Sequence, residues 1–211
     1  MQNLILASSS PRRKALLQRL NIPFTIEISH VEEKIPPETP PKEAVMSLAL
    51  QKAKAVASHA TEAFVIGADT MVSIHNQILG KPKSREEAKN MLKMLSGQTH
   101  SIYTGTAIVH GEQQRVFYEQ TDVAFWTLPD DAIEDYLNSG EPFDKAGAYG
   151  IQGLGSIFVK EIHGDFFSVV GLPIARVYWT LKEMGYSGHL FHEMKEEDRT
   201  RSSKHWHWNS L

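Results

Sequence analysis

The 211-residue chain contains no cysteine, which excludes disulfide bonds, zinc–thiolate sites and a cysteine nucleophile. It also lacks an apolar run near the ~20 residues that a membrane-spanning helix needs. The first apolar stretch, residues 4–7, is too short for a signal peptide, and its charges follow it instead of preceding it. The sequence therefore predicts a cytoplasmic protein with no membrane partner.

Strong positive charge and the common catalytic motifs are absent as well. The net charge is −3, and the aromatic residues are not interleaved with Arg and Lys, so no nucleic-acid partner is predicted. The Walker pattern Gly-x4-Gly-Lys-Ser/Thr, the Gly-x-Ser-x-Gly elbow and His-Glu-x-x-His do not occur. A phosphate-rich ligand would have to be held by local clusters of Lys and Arg, or by a metal.

The apolar pattern predicts a mixed α/β domain with a largely continuous sheet. Short apolar runs alternate with helical segments in the first half, and hairpins dominate the middle. One predicted strand, residues 63–68, ends at Asp69, and residues 156–162 and 166–170 are predicted as a hairpin. The composition changes after about Ser187, which predicts one domain over residues 1–186 and a poorly ordered polar tail over residues 187–211.

The first candidate site is the polar loop and helix start at residues 8–14. Ser10 is a suitable N-cap and Pro11 suits the first helical position, while Arg12 and Arg13 supply charge and forked donors that match phosphate. Helical geometry places Arg13 near the buried face that Leu16 defines. The alternative is a solvated basic patch on an exposed helix.

Two further ionisable residues occur in apolar surroundings. Lys52 falls in the middle of an apolar helical stripe, where its amine must reach water, a carboxylate or a ligand, so it either snorkels to the surface or binds phosphate. Asp69 follows a buried strand and a Gly-Ala step, where a carboxylate suits metal binding or orientation of a water molecule. A structural aspartate that caps a turn is the alternative.

Three weaker signals complete the set. Glu32-Glu33 could supply a second metal-facing carboxylate, and Lys81 lies at the end of a predicted hairpin. Four glycines between residues 147 and 155 indicate a backbone that approaches something closely, and Gln152 among them offers a donor and an acceptor for a base edge. A plain flexible turn is the alternative for this loop. Together these residues favour metal-assisted phosphoryl chemistry over acyl transfer.

At these positions the sequence resembles the Maf family of nucleotide pyrophosphatases, which is related in fold to the inosine triphosphate pyrophosphatases. The resemblance covers about residues 3–186, and each motif in it is short. The matching motifs occur in order: Leu-Ala-Ser-Ser-Ser-Pro-Arg-Arg at 6–13, Gln-Lys-Ala-Lys-Ala at 51–55, Gly-Ala-Asp-Thr at 67–70, Gly-Lys-Pro at 80–82, Leu-Ser-Gly at 95–97, Asp-Lys-Ala-Gly-Ala-Tyr-Gly-Ile-Gln-Gly at 144–153 and Val-Val-Gly-Leu-Pro at 169–173.

The resemblance implies an elongated, two-lobed α/β fold with a mixed sheet, flanking helices and a central cleft, in a homodimer. It implies hydrolysis of a nucleoside triphosphate to the monophosphate and pyrophosphate with Mg²⁺ or Mn²⁺, and the Tyr-Gly-Ile-Gln-Gly motif resembles the branch that acts on dTTP and UTP. The roles implied are as follows: Asp69 as proton acceptor; Lys52 and Lys81 as catalytic cations; Ser8 and Arg13 in substrate binding; Arg12, Thr70 and Gln152 in substrate choice; Glu33 and Asp69 as metal ligands.

A different class of function stays open beside hydrolysis. Members of this family are linked to arrest of septum formation and cell division, so the chain could be a nucleotide-dependent regulator whose hydrolysis is incidental. A regulator would bind nucleotide tightly and turn it over slowly. Measured turnover separates the two readings.

Overall fold

The computed structural model describes residues 2–188, so the predicted tail lies outside the described residues apart from Ser187 and Gly188. Within them, seven strands form one sheet with helices packed against it. The strands are β1 (Leu4–Leu6), β2 (Thr25–Ile26), β3 (Phe64–Ile74), β4 (Gln77–Leu79), β5 (Thr99–His110), β6 (Gln113–Phe125) and β7 (Val159–His163). The helices are α1 (Pro11–Gln18), α2 (Pro41–Ala57), α3 (Arg85–Leu95), α4 (Asp130–Asn138), α5 (Phe166–Val170) and α6 (Ile174–Glu183), and short 3-10 segments occupy Glu141–Asp144, Ala146–Ala148 and Leu154–Phe158.

The sheet is mixed, which confirms the predicted fold class. Its strand order is β2-β1-β3-β5-β6-β7, and β4 pairs with β3 off this path. β1 is parallel to both β2 and β3, whereas the β3–β5, β5–β6 and β6–β7 pairs are antiparallel. Among residues 2–188, no helix has the length and apolar character needed to cross a bilayer.

Asp69 lies in the middle of β3, and the prediction that a strand ends there is wrong. β3 continues past it because β5 pairs with β3 on both sides of the site, with Asp69 opposite Gly105 and Ser73 opposite Ser101. The carboxylate therefore projects from a continuous ladder. Its backbone is held by the sheet and not by a turn.

The predicted second arm of the hairpin at residues 166–170 is also wrong, because these residues form helix α5. The Asp165 side chain accepts hydrogen bonds from the amides of Phe167 and Ser168 at 3.1 and 3.0 Å. This N-cap satisfies the first-turn amides and starts a helix where the apolar run alone indicates a strand.

Two hydrophobic core clusters lie along the sheet, and a third lies under α2. The first cluster includes Phe64, Ile66 and Ala68 of β3 together with residues of α1 and α6. The second includes Val72 and Ile74 of β3 together with residues of α3 and α4. Since Asp69 falls between the two groups along β3, the sheet carries this side chain at the boundary of the two main clusters.

Candidate active site

One cavity of about 530 Å³ opens at this boundary. Its lining includes residues from α1 and the loop before it, α2, β3, β5, α5 and the segment after α4. All nine residues that the sequence singled out line it: Ser8, Arg12, Arg13, Glu33, Lys52, Asp69, Thr70, Lys81 and Gln152. Residues that are 144 positions apart along the chain therefore face the same space.

The centre of the cavity is a lysine between two carboxylates. Lys52 Nζ lies 2.6 Å from Asp69 Oδ1 and 3.0 Å from Glu33 Oε1. The side chains of Lys52 and Asp69 are only 13% and 15% exposed, whereas that of Glu33 is 50% exposed. Lys52 does not snorkel to open solvent, because its amine is paired inside the cavity.

The close approach of α2 to the sheet brings Lys52 to Asp69. A Cβ at Gly67 of β3 would lie 2.3 Å from the Ala49 carbonyl oxygen, and one at Gly105 of β5 would lie 2.3 Å from the Val45 carbonyl oxygen. Only glycine allows such contacts without displacement of the helix. The Gly-Ala step before Asp69 therefore makes room for α2 and not for a ligand.

Arg13 is anchored by its own hydrogen bonds. Its Nε donates to the Gly171 carbonyl oxygen at 2.9 Å, and its two terminal nitrogens donate to Ser8 Oγ at 3.4 Å and to Thr70 Oγ1 at 3.2 Å. Burial lowers the pKa of Arg13, while Asp69 opposes that shift. A guanidinium stays charged under any such shift, so the cavity contains a fixed, oriented cation.

Thr70, whose hydroxyl accepts a hydrogen bond from Arg13, donates its own proton in one defined direction. Thr104, which is fully buried, donates its proton to the Ser168 carbonyl oxygen at 2.7 Å. A threonine hydroxyl has one proton, so in the 2.9 Å contact between Thr70 and Thr104 the donor is Thr70. Towards Arg13 and the cavity, Thr70 can therefore only accept a hydrogen bond.

The remaining predicted residues lie around the rim or at the helix start. Ser8 is buried and its Oγ accepts from the Ser10 amide at 3.2 Å, which shapes the loop before α1. Arg12 Nη1 lies 3.6 Å from Asp144 Oδ2, and both residues line the cavity. Lys81 and Gln152 are exposed to solvent at the rim.

The sequence did not single out three cavity residues, Asp144, Lys145 and Tyr149. Lys145 Nζ lies 2.5 Å from Asp144 Oδ1, and Tyr149 is buried with its hydroxyl 2.8 Å from His100 Nε2. Burial lowers the pKa of His100 to about 4. The Asp-Lys pair occurs inside a matching motif, but nothing in its pattern signals that it faces the cavity.

The charges of the cavity contrast with those of the whole chain. Five cationic side chains and three carboxylates line it, although the chain carries a net charge of −3. Cations gathered in a concave site favour a polyanion. The arrangement can therefore hold phosphates close to a carboxylate that is able to orient water.

Glu33 and Asp69 are the groups that could hold a divalent cation. Both carboxylates contact the Lys52 ammonium group, so their oxygens converge on a site that already favours positive charge. Over residues 2–188 no three His, Asp or Glu side chains gather closely enough to hold a metal by themselves. Mg²⁺ usually binds through one or two carboxylates plus waters and substrate phosphates, and this donor set fits that mode.

Comparison with known proteins gives a match over nearly the whole domain. The family model described as Maf-like protein matches residues 3–184. A Bacillus cereus protein named dTTP/UTP pyrophosphatase is 56% identical over 183 residues, which cover 87% of this chain and 96% of that protein. Proteins of the same name from Bacillus mycoides and Bacillus anthracis are 55% and 54% identical with the same coverage.

A solved structure, that of the Staphylococcus aureus Ham1 protein, aligns with a TM-score of 0.41 and 15% identity. The alignment covers 59% of this chain and 72% of that one.

Proposed function

The chain belongs to the Maf family, and we propose that it hydrolyses dTTP and UTP to the monophosphate and pyrophosphate. The observation that carries this proposal is the Lys52–Asp69–Glu33 cluster at the centre of a cation-lined cavity. The near full-length identity to proteins named dTTP/UTP pyrophosphatase supports the choice of substrate.

We propose that the cations divide the work of holding the triphosphate. Arg13 is fixed by Gly171 and Ser8, so its charge lies at a constant position and suits phosphate oxygens that gain charge in the transition state. Lys52 and Lys81 neutralise the departing pyrophosphate. Ser8 orders the helix start at which a phosphate would rest.

Asp69 is the proposed proton acceptor. Its Oδ1 is engaged by Lys52, so Oδ2 takes the proton from water as the water oxygen bonds to the α-phosphorus. The bond from that phosphorus to the bridging oxygen breaks, and pyrophosphate leaves. The ion pair with Lys52 holds the orientation of the Asp69 carboxylate.

A divalent cation, Mg²⁺ or Mn²⁺, would be held by Glu33 and Asp69. When bound, it would neutralise phosphate charge and polarise the phosphorus–oxygen bonds.

Substrate choice is assigned to Arg12, Thr70 and Gln152. Gln152 offers an amide donor beside an acceptor, which complements the adjacent N3–H and O4 groups of thymine and uracil. Arg12 is paired with Asp144, which belongs to the same segment after α4 as Gln152. Thr70 contributes an acceptor only, because its proton is directed to Thr104.

The proposal is tested by pyrophosphate release with Mg²⁺ or Mn²⁺ from dTTP, UTP, CTP, GTP, ATP and 7-methyl-GTP. We expect fast release from dTTP and UTP. Asp69→Asn removes the proton acceptor and should lower kcat by at least about 100-fold. Asp122→Asn, which alters a carboxylate on β6 outside the cavity lining, is the matched control and should leave kcat within about twofold.

Two outcomes would contradict the proposal. Substantial turnover by folded Asp69→Asn would remove Asp69 from the chemistry. Tight nucleotide binding without pyrophosphate release by the unaltered protein would favour the nucleotide-dependent regulator.

We also propose a homodimer and a cytoplasmic location, both on the strength of the family resemblance. The exposed apolar side chains of Leu154 and Ile157, 58% and 69% exposed, support a protein contact beside the cavity. Light scattering should give the mass of two chains, and cell fractionation should place the protein with cytoplasmic markers.

A further inference from the structure

The loop that carries Gln152 is held from behind by a single carboxylate. Glu141 Oε2 accepts from the Leu154 amide at 2.9 Å, and its Oε1 accepts from the Gly155 amide at 3.2 Å. The Tyr136 hydroxyl donates to Glu141 Oε1 at 3.0 Å and accepts from the Gly150 amide at 3.1 Å. Both ends of the Gln152 loop (residues 150–155) are therefore tied to one Tyr–Glu pair.

The glycines of the Gln152 loop are explained by this pair and not by a ligand. A Cβ at Gly153 would lie 2.3 Å from Glu141 Oε2, and one at Gly150 would lie 2.9 Å from Glu141 Oε1. A Cβ at Gly155 would lie 2.8 Å from the Tyr136 hydroxyl. At Gly150 a Cβ would also lie 2.7 Å from Lys145 Cε. A larger residue at any of these positions would have to displace the end of a side chain that it meets: Glu141, Lys145 or Tyr136.

In this pair Glu141 is an ionised hydrogen-bond acceptor, and the Tyr136 hydroxyl links it to the Gly150 amide. Burial would raise the pKa of Glu141, but the Leu154, Gly155 and Tyr136 hydrogen bonds outweigh it and lower that pKa overall. Burial raises the pKa of Tyr136, so its hydroxyl keeps the proton that it gives to Glu141. Neither residue lines the cavity.

We propose that Glu141, through Tyr136 and the backbone of the Gln152 loop, is a positioning residue that sets nucleotide selectivity. Gln152 is exposed at the rim, and the hydrogen bonds described above fix the backbone on either side of it to α4 and to the 3-10 segment that follows α4. An amide discriminates between bases only when its donor and acceptor are held in register with the base edge. The effect on selectivity rests on the proposed function, whereas the support of the loop does not.

The test compares Glu141→Gln with the unaltered protein. Gln keeps the size of the side chain but replaces one acceptor oxygen with an NH₂ group that faces a backbone donor. We expect kcat/KM for dTTP to fall roughly 10- to 100-fold, mainly through KM, and the preference for dTTP over CTP to shrink about tenfold. Hydrogen exchange of the Gly150, Leu154 and Gly155 amides should accelerate about tenfold or more.

Glu134→Gln is the matched control. Glu134 lies on α4 and is paired with Arg85 and Lys89 at 2.7 and 2.5 Å, outside the cavity lining. The Glu134→Gln substitution removes one negative charge from the same region, but Glu134 has no contact with the loop. The variant should therefore match the unaltered protein in nucleotide selectivity and in hydrogen exchange of the loop amides. Tyr136→Phe is the second variant, which keeps the ring and should reproduce the selectivity loss if Glu141→Gln fails to fold.

The outcomes separate this proposal from the proposed function. Unchanged amide exchange in folded Glu141→Gln, or faster exchange with unchanged dTTP-to-CTP preference, would overturn the positioning role. If the unaltered protein does not turn over dTTP, the proposed function fails. Binding of a non-hydrolysable α,β-imido dTTP then replaces turnover as the readout, and its Kd should still rise about tenfold in Glu141→Gln.

Discussion

Thr104 and Thr106 are two buried threonines on β5 that differ in the hydrogen bonding of their hydroxyl groups. The Thr104 hydroxyl accepts from Thr70 and donates to the Ser168 carbonyl oxygen. The Thr106 hydroxyl has no hydrogen-bond partner within the described part of the chain, although both residues are 0% exposed. Because they are two residues apart on β5, they face the same side of the sheet.

This pair allows the contribution of Thr104 to be measured cleanly. Thr104→Val removes the acceptor for Thr70 and leaves the Ser168 carbonyl without its donor, which should cost about 1–3 kcal/mol of unfolding free energy. Because Thr70 then loses its fixed proton direction beside Arg13, kcat/KM for dTTP should fall about tenfold. Urea unfolding and pyrophosphate release measure the two effects.

Thr106→Val is the control for that prediction. It removes a buried hydroxyl that satisfies nothing, so stability should be unchanged or higher and kcat/KM should stay within about twofold. Thr104→Ser keeps the hydroxyl and should retain most of the activity. Equal losses of stability and activity in Thr104→Val and Thr106→Val would show that the hydrogen bonds of Thr104 to Thr70 and Ser168 contribute to neither.

At the scale of elements, the spacing between α2 and the sheet determines the catalytic geometry. α2 carries Lys52, β3 carries Asp69, and the two elements touch where Gly67 meets the Ala49 carbonyl. A methyl group there would lie 2.3 Å from that oxygen, so the helix must shift outward. Such a shift would lengthen the 2.6 Å contact between Lys52 and Asp69.

Gly67→Ala should therefore reduce both stability and activity. Overpacking at a tight helix–sheet contact costs about 1–3 kcal/mol, and displacement of Lys52 should lower kcat by about tenfold or more. Gly80→Ala is the stability control, since a Cβ there meets no atom within 4 Å. If Gly67→Ala unfolds at the same urea concentration as the Gly80→Ala variant, the close approach of α2 does not constrain the sheet.

The elements also show what the sequence could and could not predict. Pro11 after Ser10 is a local signal, and the structure has helix α1 there, with Ser10 as its N-cap. The uninterrupted course of β3 through Asp69 depends on pairing with β5 some 35 residues later, which no local pattern reveals. Likewise the glycine density at residues 147–155 indicates a close approach, but only the fold shows which groups are approached: Val72 at Gly147, and chiefly Glu141 and Tyr136 at the other three glycines.

At the scale of the whole molecule, the two main core clusters share the strands that carry the site. β3 contributes to both, and β5 contributes Ile108 to the first and Ile102 to the second. His100, also on β5, packs edge-on against Phe125 and Tyr149 of the second cluster, with ring centroids 4.9 and 5.4 Å away. Because both clusters are built on the same continuous ladder, we expect them to unfold as one unit.

Protonation of His100 tests this cooperativity. Burial lowers the His100 pKa to about 4, whereas the unfolded chain has the ordinary value of about 6.5. The unfolded state therefore binds more protons between these values, and stability present above pH 6.5 is lost as the pH falls through that window. From pH 7 to 5.5 the unfolding free energy should drop by about 1 kcal/mol more in the unaltered protein than in His100→Gln.

If the two clusters unfold as one unit, this loss of stability must also appear in the first cluster, which His100 does not contact. Between pH 7 and pH 5.5, amides of α3 in the second cluster and of α6 in the first should both lose about 1 kcal/mol more protection in the unaltered protein than in His100→Gln. Hydrogen exchange by mass spectrometry resolves the two helices in one experiment. A loss confined to α3 would mean that the clusters open separately, and the cavity between them would then widen without global unfolding. A loss in both would mean that the two clusters, and the part of β3 between them that carries Asp69, unfold together.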